Sequence, residues 1–197
     1  MEEFLKGPEI GGVDSGDVVT AFQFSTGKPF VSGFRSGGGG GFQSGGTGGP
    51  VDLGDLDLSA DWITIAAKFI GKNEGFAKAA INDEGNPRLG FGTDKILDPS
   101  TGQIRTVKYG DTTTVESALK VLQYEVSETY KNRLVGSGPS KISQADFDAL
   151  NNKQKAACLS FVYNCGSFAN YPNIPAAIRA KDYAKAATGL LNGPTRG

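Results

Sequence analysis

Two carboxylates stand out in the stretch from Glu74 to Thr93, EGFAKAAINDEGNPRLGFGT. Glu74 closes a helix-forming run, WITIAAKFIGKNEG, and Asp83 follows nine residues later, beside Glu84 and Gly85. The stretch ends in Leu89-Gly90-Phe91-Gly92, which reads as a short strand with glycines at alternate positions. A carboxyl at a helix end, followed by a tight ribbon folding back over it, would set two acids across a cleft. That arrangement suits glycoside hydrolysis: one carboxylic acid protonates the leaving oxygen, and the other, ionised, acts on water or on the sugar. Spacing alone equally allows a surface glutamate and a turn aspartate.

Composition narrows the alternatives. The chain has no histidine, which removes histidine acid–base catalysis, Ser-His-Asp triads and most zinc sites. Hydrolysis would then lean on carboxylates or on a less common nucleophile. The formal net charge is -1, with no basic stripe of the kind that binds nucleic acid. No run is long and apolar enough to cross a membrane, and MEEFLKGPEIGG lacks the basic start and apolar core of a signal peptide. Cys158 and Cys165 lie seven apart in a helical pattern. On a helix they stand about 10 Å apart along the axis, too far for a bridge, and they read as small buried residues.

The elements that must position the acids begin near residue 60. At 197 residues the chain allows one compact domain, residues 61–197, plus an appendage. The appendage is residues 1–60, a Gly/Phe-rich arm or linker. Glycine dominates from Gly33 to Gly49 and carries a small repeat, GFRSGG then GFQSGG. Such a tract does not fold alone, because glycine loses the most entropy on ordering. Phe22, Phe34 and Phe42, large apolar groups that a plain linker has no use for, favour an arm that orders against partner chains.

Val51 to Leu58 alternates weakly, like a strand, and Ser59 is placed to cap the helix that follows. Trp62, Ile65, Ala66 and Phe69 form that helix's buried stripe. Lys95-Ile96-Leu97 and the run from Gln103 to Tyr109 read as short strands around a Pro-Ser-Thr-Gly turn. Thr114 caps a helix whose apolar face is Ala118, Leu119, Leu122 and Val126, reaching about Leu134. Ser143 with Asp146 opens a short capped helix. Asn151 to Tyr163 is a strongly apolar helix, and Ile174 to Ile178 and Asp182 to Leu191 are two more. The fold class is α+β, with a small β region beside a mainly helical lobe.

Taken in order, these motifs resemble the phage-type lysozymes, the muramidase family of bacteriophage endolysins and tail-associated lysozymes. The shared blocks are Glu74-Gly75, Asp83, Gly90-Phe91-Gly92, Phe161-Val162-Tyr163-Asn164-Cys165-Gly166 and Asp182-Tyr183-Ala184-Lys185-Ala186-Ala187. They cover roughly residues 62–193. The chain departs from the family in four places. Arg88 stands where a threonine usually helps hold the attacking water, and Thr93 where histidine is common. The ribbon after Asp83 is one residue shorter, and the family's final basic helix has no counterpart before Gly197.

The resemblance implies a lysozyme-like fold and cleavage of the β-1,4 bond between N-acetylmuramic acid and N-acetylglucosamine in peptidoglycan, with no metal or organic cofactor. It makes Glu74 the general acid, which requires a pKa raised by burial, and Asp83 its ionised partner. Arg88 would either pair with Glu74, holding it ionised, or face outward to bind a peptide carboxylate of the wall. Asn164 would line the cleft and hydrogen-bond sugar, or simply cap its helix. The arm points to a virion-associated protein of the phage tail or baseplate, bound to other phage structural proteins. A structural virion protein with a degenerate, inactive fold and a cytoplasmic endolysin are the alternatives.

Overall fold

The structure, a computed structural model, describes residues 51–83 and 85–192. The arm as far as Pro50, Glu84 and the last five residues lie outside them. The described residues fall into two compact units divided between Thr129 and Tyr130.

The first unit opens with helix α1 (Trp62–Asn73). Its N-cap is Asp61, not Ser59. The Asp61 carboxylate accepts the N–H of Ile63 at 2.9 Å and of Thr64 at 3.1 Å. A charged acceptor makes stronger bonds to orphan amides than a hydroxyl and also complements the helix dipole. Ser59 instead donates its hydroxyl to Asp57. The buried stripe runs through Ile65, Ala66, Ala67 and Ile70, rotated around the helix by about one residue from the expected face, with Trp62 and Phe69 only half-buried. Val51 to Leu58 forms no strand. Lys68 and Lys72 of α1 donate to the carbonyls of Asp55 and Gly54, the latter at 2.6 Å, taking backbone acceptors that a ladder would need.

Strands β1 (Ala77–Asp83) and β2 (Asn86–Gly90) make an antiparallel hairpin in the register Asp83–Asn86, Asn82–Pro87, Ile81–Arg88 and Ala77–Gly90. Between the last two pairs the register shifts, an irregularity that bends β1. The middle of that strand pairs on its opposite side instead. Ala80 donates to the Asp111 carbonyl at 2.9 Å, and Thr113 donates to the Lys78 carbonyl at 2.9 Å. Tyr109, 60% exposed, lays its hydroxyl 3.1 Å from Asn82 Oδ1.

Gly90 ends β2, paired with Ala77, and Phe91-Gly92 turn beyond it, so the strand expected over Leu89 to Gly92 stops at its first glycine. Leu89 N–H donates to the Thr93 carbonyl at 3.0 Å, and Thr93 N–H returns to the Leu89 carbonyl at 3.1 Å. Gly90 has φ +62°, and a Cβ there would lie 2.8 Å from Ala118 Cβ. Only glycine meets both demands. Phe91 at the apex is fully buried. It packs against Phe76 at 5.4 Å between ring centroids and reaches 3.4 Å from where a Cβ would stand on Gly71 of α1. Burying such a ring contributes roughly 2–3 kcal/mol, and it fixes the turn onto the helix that ends at Glu74.

Strands β3 (Lys95–Leu97) and β4 (Ile104–Thr106) form a second antiparallel ribbon, as the Pro-Ser-Thr-Gly turn predicts. Leu89, Ile96 and Val107 share a small core beneath it. Arg105 clamps the ribbon's loops, holding Asp98 at 2.7 Å and Asp111 at 2.7 Å. Helix α2 (Val115–Tyr124) is capped by Thr114, whose hydroxyl oxygen accepts the N–H of Ser117. It packs on α1, β2 and β3. At Glu125 the helix widens into a π-helical segment, Glu125–Tyr130, which the periodicity alone does not show.

The second unit is helical: α3 (Lys131–Leu134), α4 (Gln144–Ala149), α5 (Asn152–Cys165), α6 (Asn173–Arg179) and α7 (Tyr183–Asn192). Ser143–Asp146 and Asn151–Gln154 form capping boxes at α4 and α5. Phe161 of α5 anchors the core, with Phe168 and Tyr171 at 5.3 and 4.9 Å between centroids. Both cysteines are free on α5. Cys158 is buried, but Cys165 is only half so, because it sits in the last turn beside the cap. The α+β class and the β ribbons stand as expected.

Candidate active site

Glu74 is the C-cap residue of α1. Its N–H donates to the Ile70 carbonyl at 3.0 Å, and its backbone is already extended, at ψ 152°. The chain therefore leaves the helix at Glu74 and enters β1 three residues later. The side chain is half-buried. Among the described residues no ion pair or hydrogen bond reaches its carboxyl. Burial alone pushes its pKa up to about 7, because desolvation disfavours the charged form.

Asp83 closes β1 next to the hairpin tip, and its environment is the opposite. Its side chain is 38% exposed, and Arg88 Nε lies 3.6 Å from Oδ2. The strand period explains the pairing. Asp83 faces Asn86, so Arg88 is its diagonal neighbour on the same face, within reach of a long side chain. Of the two arrangements expected for Arg88, the pairing with Glu74 is not formed; its guanidinium lies between two other carboxylates, with Nη1 3.9 Å from Asp94 Oδ2. The Leu89–Thr93 bridge explains the second contact, since doubling the chain back at that turn sets Asp94 opposite Arg88.

Behind Arg88 the charges continue. Lys95 Nζ lies 3.4 Å from Asp94 Oδ1 and 3.2 Å from Glu125 Oε1. Glu125 is 4% exposed. Burial raises its pKa, a shift that Lys95 partly offsets. Asp94, Lys95 and Glu125 do not stand out in the sequence. A signal existed for Glu125: it falls three residues after Leu122 and just before Val126, on the apolar face of its helix. Thr93, the residue in the usual histidine position, is buried and donates its hydroxyl to the Lys95 carbonyl at 2.8 Å, so its proton is committed to the turn.

Asn164 belongs to the second unit. It does not cap α5; Gly166, with φ +77°, does. Asn164 is half-buried in the last turn, and its amide donates to the Ser160 carbonyl at 2.9 Å. Among the described residues no hydrogen bond reaches its Oδ1.

The first unit thus holds one carboxyl made reluctant to ionise by its surroundings and one beside a cation. Two acids in contrasting environments are the requirement for acid and base roles at one pH. No curated protein matches the chain. The sequence model of the family described as Phage lysozyme matches residues 71–192. That span takes in more than half of the chain and both carboxylates, and the chain belongs to the phage lysozyme family.

Proposed function

We propose that this protein is a muramidase that hydrolyses the β-1,4 bond between N-acetylmuramic acid and N-acetylglucosamine in bacterial peptidoglycan. Family membership supports the substrate class. The observation that carries the reading is the contrast between Glu74 and Asp83. Glu74, with its pKa near 7, retains a large protonated fraction at neutral pH and can give that proton to the glycosidic oxygen. Asp83 serves as the carboxylate that orients water and faces positive charge developing on the sugar. The mechanism uses no metal or organic cofactor. Asn164 is assigned to sugar binding through Oδ1, which no hydrogen bond reaches among the described residues, and a wall carboxylate held by Arg88 is the alternative role, which a raised KM in Arg88→Gln would reveal.

Purified sacculi test the reading. Digestion should yield muropeptides with new reducing ends. Glu74→Gln should lower their release by at least about 10²-fold, the usual contribution of a positioned acid. Sacculi left intact at high protein concentration would refute it and leave a degenerate fold with a structural role.

We further propose that the protein belongs to the phage particle, at the tail or baseplate, acting on the wall during entry. The Gly/Phe-rich arm supports this, because ordering each residue costs about 1–2 kcal/mol and partner chains would supply the offsetting contacts. Deleting residues 1–50 should abolish co-purification with particles. Unchanged incorporation would favour a cytoplasmic endolysin.

A further inference from the structure

Five charges of alternating sign run from the interior of the first unit to its hairpin: Glu125, Lys95, Asp94, Arg88 and Asp83. Consecutive members lie 3.2, 3.4, 3.9 and 3.6 Å apart. One end is buried at the start of the π-helical segment, a distortion that often marks functional positions. The other end is the carboxylate assigned above to catalysis. We propose that Arg88 is a positioning residue for Asp83, held in place from behind by Asp94, which is in turn anchored through Lys95 to Glu125. The proposal rests on the muramidase reading only in making Asp83 the carboxylate whose placement matters.

Three observations carry it. First, the backbone dictates the geometry. Hairpin register puts Arg88 diagonal to Asp83, and the Leu89–Thr93 turn puts Asp94 opposite Arg88. Second, Arg88 is not locked to either carboxylate. Both separations exceed hydrogen-bond length, and among the described residues its Nε is buried without a hydrogen-bond partner. A guanidinium set 3.6 Å from one acid and 3.9 Å from another is held between them. It orients Asp83 without occupying the lone pairs that a water or sugar must reach. Third, the anchor is firm. Glu125 is deeply buried, its Oε1 faces Lys95, and its Oε2 has no hydrogen-bond partner among the described residues. A buried charge in that state holds its cation tightly, because moving the cation away would leave the charge uncompensated. The arginine in the usual threonine position is then an orienting cation supported by a new set of neighbours.

The test uses the full chain and purified sacculi at varied concentration, with melting temperature as a folding control. Arg88→Gln should lower kcat by about 10–100-fold, the scale for misplacing a reacting group by about an ångström, with apparent KM changed less than about twofold. Arg88→Lys, which keeps the charge without the planar fork, should recover part of the loss. Asp94→Asn should show the same split in weaker form. Lys120→Ala, which breaks an exposed pair with Glu116, should match wild type. A raised KM with kcat unchanged would make Arg88 a substrate-binding residue and overturn the proposal, as would wild-type kinetics in Arg88→Gln. Carboxyl carbon NMR, with the Asp83 signal assigned by Asp83→Asn, separates this from the muramidase reading. If wild type releases no muropeptide, that reading falls, and the NMR arm alone decides. An Asp83 signal displaced by Arg88→Gln and by Asp94→Asn upholds the positioning role, whereas an unmoved signal overturns it.

Discussion

Lys95 Nζ stands 3.2 Å from Glu125 Oε1, tying the start of β3 to the end of α2. Removing the lysine leaves a buried carboxylate without its cation. Lys95→Met should therefore destabilise the fold by about 2–4 kcal/mol at pH 7. Burial already raises the Glu125 pKa, and the substitution raises it further. The penalty should be small below the ordinary glutamate range, where Glu125 is protonated in both states, and should grow as pH rises through its folded pKa. Lys95→Met with Glu125→Leu should recover most of the loss. Urea unfolding at pH 4 and pH 7 checks this, and a single variant as stable as wild type at pH 7 would contradict it.

The protonation of Glu74 should limit activity from above. With a pKa of about 7, muropeptide release should fall about tenfold for each further rise of one pH unit well above that value, as the acid is lost. A rate independent of pH up to about 9 would remove Glu74 from the acid role.

The same burial makes Glu74 a weak point in the fold. Its folded pKa lies above its ordinary value, so the folded state binds more protons between pH 4.5 and about 7. Stability must therefore decline as pH rises through that window. Glu74→Gln removes the decline. The variant should equal wild type near pH 4 and exceed it by about 3–3.5 kcal/mol above pH 7, because the rise from 4.5 to about 7 spans about 2.5 factors of ten in proton affinity, each worth about 1.4 kcal/mol. Equal stabilities at pH 8 would mean that the carboxyl is better solvated than the fold indicates.

Gly90→Ala should be among the most damaging single changes in the first unit. The new methyl would lie 2.8 Å from Ala118 Cβ on a backbone at φ +62°. Strain and overpacking together predict a loss of about 2–4 kcal/mol. Ala118→Gly should relieve the contact but not the strain, recovering part of the loss. Thermal melts of the three variants read the difference, and a neutral Gly90→Ala would exclude the close approach.

Much of this was legible in the sequence. Capping by Thr114 and Ser143, the ribbon around Pro99 to Gly102, and the helix ending at Glu74 follow from local chemistry, which short spacings record. The misses have different causes. Asp61 prevailed over Ser59 through charge, within three residues of the amides it accepts. Phe91 and Gly92 turned because Phe91 had a buried place against Gly71, a neighbour that local spacing does not reveal. Glu125 left a trace in its place on an apolar face, but its partner Lys95 lies thirty residues earlier, so local spacing does not show what compensates the buried acid.

The two-sided pairing of β1 has a consequence for behaviour in crowded solution. An open strand edge invites another chain to add to it. The middle of β1 is closed by the bond from Ala80 to Asp111 and by that from Thr113 to Lys78, and near the tip the Tyr109 hydroxyl donates to the side chain of the exposed Asn82. An aromatic ring left in water is thus tethered to the tip of the hairpin that carries Asp83. Replacing Tyr109 should loosen that tip and favour unwanted strand addition, a route to aggregation that leaves Glu74 and Asp83 untouched.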